Sequence, residues 1–222
     1  MATSEPSQEL NLPHLLEVLN RNNVEYILVG SMAAVIQGAP YATYDVDMIV
    51  KHSDQNLDRT AVALQELGAR QIVRLQALEE GPPPTSGADL ARHLSMFNTN
   101  AGRVDVLRQG VVIGRYEDIG PRALGYVIDG QTVFVADLQS IIADKEARSQ
   151  PKDRAQLHDL YRLADELGMP LTKEQRRVLA GEQHFIDKPA LRPEIDLVRQ
   201  NYDEGQHRAP EPEHDHDHGY DR

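Results

Sequence analysis

Three aspartates in this chain have the type and placement to bind hard cations. Asp45 and Asp47 lie in the segment Tyr44 to Val50, where Asp45, Asp47 and Ile49 alternate with Val46, Met48 and Val50. A strand has a side-chain period of two, so the two carboxylates share a face roughly 7 Å apart, close enough to share or bridge divalent cations that prefer oxygen ligands. Asp105 sits between Val104 and Val106 on a second candidate strand and points away from their shared face, so it could join the pair. Acidic pairs at this spacing also occur on solvated strand faces, so the surrounding elements must decide.

The elements around the acids favour a built site. Val24 to Val29 is apolar and β-branched enough for a buried strand, and it ends in Gly30-Ser31 before an Ala-rich helical segment, Met32 to Gln37, closed by Gly38. A glycine there lets the backbone approach a phosphate, and the following helix offers free N–H groups. Upstream, Leu12, Leu15, Leu16 and Leu19 give Asn11 to Asn22 a helical period. Downstream, Asp54 to Leu67 reads as a helix capped by Ser53 or Asp54 and stopped by Gly68. Glu79 to Gly87, with three prolines, reads as a loop. His93 to Phe97 and Arg103 to Leu107 read as strands joined by a loop over Asn98 to Gly102, and a second hairpin turns at Asp129-Gly130.

From Asp137 to Leu167 the pattern becomes helical, with Pro151 dividing two helices and a further helix expected over Leu171 to Gly181. The predicted architecture is an α/β (α+β) fold: a core over 1–135 with a small mixed twisted sheet flanked by helices, a helical region over 136–202, and a tail over 203–222. The tail is acidic and prolyl with no apolar period, so it is expected to be disordered. Its alternating His214, His216 and His218 could bind transition metals, although a solvated tail is the simpler expectation.

Bulk composition narrows the chemistry. The 222 residues can bury a real core, and the absence of cysteine removes disulfides, thiolate zinc sites and cysteine nucleophiles. No apolar run approaches the roughly 20 residues needed to span a bilayer and no signal-peptide order is present, so a cytoplasmic location is the default. A net charge of -12 argues against a broad footprint on duplex nucleic acid. Basic residues gather instead at Lys145, Arg148 and Lys152, three to four residues apart, where they could neutralise phosphate. For Arg148 a solvated helix face is the simpler expectation, and Asp153 has an ordinary role as an acid at a helix start. Among the isolated histidines, His93 is the one placed on the hairpin facing the acids.

Gly30-Ser31, Asp45-Val46-Asp47 and Val104-Asp105-Val106 follow the order and spacing of polymerase-β-like nucleotidyltransferases. More narrowly, the chain resembles the AbiEii-type group, known from toxin components of bacterial toxin–antitoxin systems. Thr43 precedes Asp45-x-Asp47 as in that group, Lys145 stands in the first late helix, and Lys152-Asp153 opens the second. The resemblance runs from about Val24 to Leu167. Tyr41 departs from it, since an arginine often stands there.

The resemblance implies the nucleotidyltransferase fold and transfer of a nucleoside monophosphate from a nucleoside triphosphate to an acceptor hydroxyl. Magnesium, or manganese in its place, would be held by Asp45, Asp47 and Asp105, with Asp105 also helping to deprotonate the acceptor. Lys145 would act catalytically, Gly30 and Ser31 would cradle the triphosphate, and Thr43, Lys152 and Asp153 would complete the nucleotide site. Acceptors could be transfer RNA, a protein or a small molecule such as an aminoglycoside, and an antitoxin protein is an implied partner. The alternative is an inactive nucleotide-binding or interaction module of the same fold.

Overall fold

The computed structural model describes residues 10–74 and 79–181. The tail over 203–222, with its histidines, and the end of the expected helical region lie outside these residues. Eight strands form one mixed sheet in the order β4-β3-β5-β6-β2-β1-β8-β7. They are β1 (Tyr26–Val29), β2 (Asp45–Val50), β3 (Arg70–Arg74), β4 (Glu79–Glu80), β5 (Leu94–Thr99), β6 (Gly102–Leu107), β7 (Leu124–Ile128) and β8 (Gln131–Val135). The helices are α1 (Leu12–Arg21), α2 (Gly30–Ile36), α3 (Asp54–Glu66), α4 (Tyr116–Ile119), α5 (Leu138–Arg148), α6 (Pro151–Glu166) and α7 (Lys173–Gly181). The mixed α/β class expected from the sequence is the one observed.

Central strand β1 is buried along its whole length, which is why Tyr-Ile-Leu-Val carries no polar alternation. It pairs antiparallel with β2 and parallel with β8, and β2 in turn pairs parallel with β6. Helix α1 starts where the Asn11 side chain accepts the His14 amide, and it buries Leu15, Leu16 and Leu19 completely. Each such side chain contributes roughly 1.5–3 kcal/mol of apolar burial. Helix α2 packs on β1, β2 and α5, and Gln37 just beyond it donates to the Ala33 and Ala136 carbonyls, tying α2 to the end of β8. Helix α5 then packs on α6. The late helices are thereby held against the strands that carry the acids.

Two local expectations are corrected. Strand β3 was not foreseen, and Glu79–Glu80, inside the expected loop, pairs with it as edge strand β4. Both glutamates are exposed and have weak strand propensity, so backbone pairing at an edge sets their conformation and side-chain pattern gives no warning. The β5–β6 connection is also tighter than the expected five-residue loop. Thr99 pairs with Gly102, whose φ of +109° accommodates the turn, and the Thr99 hydroxyl both donates to the Gly102 carbonyl and accepts the Ala101 amide. At the other hairpin, Asp129 (φ 47°) and Gly130 (φ 77°) make the expected two-residue reversal.

Candidate active site

The pairing register brings the three acids together. Asp47 lies beside Asp105 on the parallel β2–β6 pair, one register step of two from Asp45 beside Arg103. On the other side of β2, Val29 lies beside Asp47, so β1 delivers Gly30 directly against the Asp47 side chain. A Cβ at Gly30 would stand 2.2 Å from Asp47 Oδ2, and the residue's φ is +65°. Glycine is required here because a carboxylate rests on its Cα, and the turn needs a left-handed conformation as well. Gly30→Ala is therefore expected to cost about 1–3 kcal/mol in backbone strain alone. Displacement of Asp47 should add a loss of activity disproportionate to the loss of stability, which melting curves and initial rates measured on the same preparation will separate.

Asp47 receives no hydrogen bond among the described residues, although it is only part-exposed. Desolvation pushes its pKa up to about 7, with Asp105 and Asp45 adding to the rise and Arg148 and Lys145 opposing it. Burial also raises Asp105, against the pull of Arg103. Asp45 is held differently: the Thr43 hydroxyl donates to its Oδ1 at 2.7 Å, and Lys152 Nζ lies 3.7 Å from its Oδ2. Thr43 and Lys152, expected in the nucleotide site, thus both lie against Asp45.

Lys145 is 1% exposed and lies at the centre of a polar network between α2, α5 and α6. Its ammonium donates to Gln156 Oε1 at 2.8 Å, to Asp153 Oδ1 at 3.3 Å and to Ser31 Oγ at 3.4 Å, while Ser31 donates to Gln156 at 3.2 Å. Burial lowers the Lys145 pKa, and Asp153 opposes the shift. Arg148, expected on a solvated face, instead binds Asp153 Oδ1 at 3.1 Å and pairs with Asp144. Asp153 is buried and its Oδ2 has no hydrogen-bond partner among the described residues, so it is more than an acid favoured by a helix start. Asp144 continues the chain of contacts outward, accepting the Val112 and Ile113 amides of the loop that follows β6.

Tyr41 belongs to this neighbourhood. Its hydroxyl is buried without a hydrogen-bond partner among the described residues, and burial, with Asp159 and Asp153 adding, raises its pKa. His93 is exposed ahead of β5, where its carbonyl accepts the Arg108 amide.

Two residues that sequence reading passed over are central. Gln156 shares one face of α6 with Lys152 and Asp153 through i+4 and i+3 spacing, a signal available from the helical period. Arg103 stands two residues before Asp105, so the period that aligns Asp45 with Asp47 also places a guanidinium beside the third acid. Arg103 Nε and Nη2 reach Asp105 Oδ1 and Oδ2, each at 3.0 Å. Burial works against the charge on Arg103, but the hydrogen bond and charge of Asp105, followed by Asp45 and Asp47, hold its pKa above the ordinary value.

Among the described residues, no three acidic or imidazole groups form a ready-made cage for a metal ion. The donor chemistry nevertheless fits one. Asp47 is a desolvated carboxylate with two like-charged neighbours and no hydrogen-bond donor, a combination that an oxygen-preferring divalent cation would relieve.

No protein-family model matches the sequence, and no curated protein matches it. Among the described residues no helix is long and apolar enough to cross a membrane. Solved structures similar to this chain include ANT(2'')-Ia in complex with adenylyl-2''-tobramycin, at 13% identity over 77% of this chain and 94% of that one, with a TM-score of 0.47. Another is an antigenic nucleotidyltransferase-like protein from Paracoccidioides brasiliensis, at 15% identity over 78% of this chain and 88% of that one, with a TM-score of 0.45.

Proposed function

We propose that this chain is a metal-dependent nucleotidyltransferase of the polymerase-β-like kind, moving a nucleoside monophosphate from a nucleoside triphosphate to an acceptor hydroxyl. The observation that carries the reading is Asp47: a desolvated acid without a hydrogen-bond donor, between Asp45 and Asp105, pressed against the Gly30 turn. A fold would not keep so costly a group there for stability.

In this reading Asp45 and Asp47 hold the metal, and Asp105 completes the set. The bound cation supplies charge neutralisation for the attacking and leaving oxygens of an in-line displacement. The acceptor oxygen forms a bond to the α-phosphorus as the bond to pyrophosphate breaks, and the hydroxyl proton passes to Asp105. Gly30 and Ser31 face the triphosphate, with Ser31 fixed by Gln156 and Lys145. Lys145 and Lys152 offset phosphate charge, and Asp153 keeps Lys145 in place.

The order of Thr43, Asp45, Asp47, Asp105, Lys145 and Lys152-Asp153 supports the AbiEii-type group, and with it the toxin role, a transfer RNA or protein acceptor and an antitoxin partner. Small-molecule acceptors share the same metal chemistry. Incubation with labelled nucleoside triphosphates, magnesium and a panel of transfer RNAs, proteins and aminoglycosides tests the activity. Magnesium-dependent label transfer, lost in Asp45→Ala, is expected; nucleotide binding without transfer to any acceptor sinks it. One observation favours the inactive-module alternative, namely that Arg103 already occupies both oxygens of Asp105.

A further inference from the structure

Arg103 and three acids form a two-by-two block across the β2–β6 pair: Asp45 beside Arg103, and Asp47 beside Asp105. The guanidinium spends its Nε and one terminal nitrogen on the two oxygens of a single carboxylate, the fork-to-fork geometry that makes arginine–carboxylate pairs strong. The same terminal nitrogen lies 3.3 Å from the sulfur of Met96, which faces Asp105 from β5. Asp45 has its own partners in Thr43 and Lys152. Among the described residues, Asp47 has none. The block therefore holds one internal cation, placed on the acid that would complete a three-carboxylate set.

We propose that Arg103 is a positioning residue that competes with divalent metal for Asp105. The metal-free site is neutralised from within, and Asp105 joins the metal only when the guanidinium releases it. This inference rests on the metal-dependent reading above but makes a separate claim. A divalent ion at Asp47 must break the two charge-assisted hydrogen bonds from Arg103 to Asp105, the acid beside Asp47, to recruit the third ligand. Arg103 is part-exposed at the edge of the site, so its side chain has somewhere to go when displaced. The arrangement makes metal affinity a property of β6 as much as of the two acids on β2.

Manganese binding to the full chain, followed by the loss of the free-ion electron paramagnetic resonance signal, tests the claim without relying on turnover. Arg103→Gln should bind manganese roughly tenfold more tightly than wild type, since a competing charge and its hydrogen bonds are removed. Arg103→Lys should fall between the two, and adding Asp105→Asn to Arg103→Gln should cancel the gain. Unchanged or weaker binding by a folded Arg103→Gln protein overturns the proposal.

A measurement on the wild type covers the case in which that variant does not fold. Magnesium should shift the Arg103 side-chain Nε–Hε resonance as the pair with Asp105 opens, and a resonance that stays in place at saturating magnesium overturns the proposal. If wild type binds metal and Asp47→Asn does not, yet the Arg103 resonance is unmoved, only this inference fails. If neither wild type nor Arg103→Gln binds manganese, the metal-dependent reading fails with it.

Discussion

Asp47→Asn is expected to abolish nucleotide transfer while raising the melting temperature of the metal-free protein at pH 8. The two effects have one origin. Desolvation, with Asp105 and Asp45 adding, pushes the Asp47 pKa from 3.8 to about 7. A group whose folded pKa is raised binds its proton more tightly when folded, so its stabilising contribution is complete below about pH 4 and is lost as pH rises through 7. A rise of about 3 pH units corresponds to roughly 4 kcal/mol at full expression. For a domain of this size that is on the order of 10 °C.

Asparagine carries no charge to desolvate, so the variant should keep its stability as pH rises while wild type in chelator declines between pH 4 and 7. Magnesium should restore wild type at pH 8 and leave Asp47→Asn unmoved, because only the carboxylate gains from the cation. Loss of transfer should be about 10²–10³-fold, the scale expected when preorganised electrostatic stabilisation is removed. Thermal melts across pH with and without magnesium, paired with initial rates, read both effects. A melting temperature that falls in Asp47→Asn at pH 8 without metal would count against a strained acid at this position.

The second large effect is at Lys145. Lys145→Met removes the ammonium from three acceptors and leaves Asp153 buried with Arg148 as its remaining cation. Breaking a buried pair from one side typically costs about 3–5 kcal/mol because the abandoned charge stays desolvated. Activity should be lost as well. The double variant Lys145→Met with Asp153→Asn separates the two roles, since it removes the stranded charge but restores no cation. Much of the stability should return, and none of the activity should. Recovery of transfer in the double variant would mean that Lys145 serves only to neutralise Asp153.

Much of this site was legible in the sequence because strands and helices have simple periods. The alternation from Tyr44 to Val50 placed Asp45 and Asp47 on one face, and Val104 and Val106, both buried, turned Asp105 to the other side of its strand. The Gly30 turn was legible too, but not the second demand on it: the Asp47 carboxylate occupies the space a Cβ would need. What escaped was partner choice. Periodicity says that Arg103 shares a face with Asp105, but not that its guanidinium would fold back on it, because that depends on Met96 and Asp45 arriving from other strands. Gln156 escaped because the helical period grouped it with Lys152 and Asp153 but gave no sign that Lys145 would be buried against it and need an uncharged acceptor. Edge strand β4 escaped because two adjacent exposed glutamates show no apolar alternation, and only their backbone pairing with β3 makes them a strand.

In the proposed function, Asp45 and Asp47 hold a divalent cation beside the Gly30 turn. A crystal structure of the full chain with manganese and a non-hydrolysable nucleoside triphosphate tests this most directly, because the anomalous signal of manganese locates the ion independently of the protein density. The expected result is a manganese peak within coordination distance of Asp45 and Asp47, with the triphosphate against Gly30 and Ser31. A peak elsewhere, or a triphosphate bound away from these residues with Asp47 still bare, would contradict it.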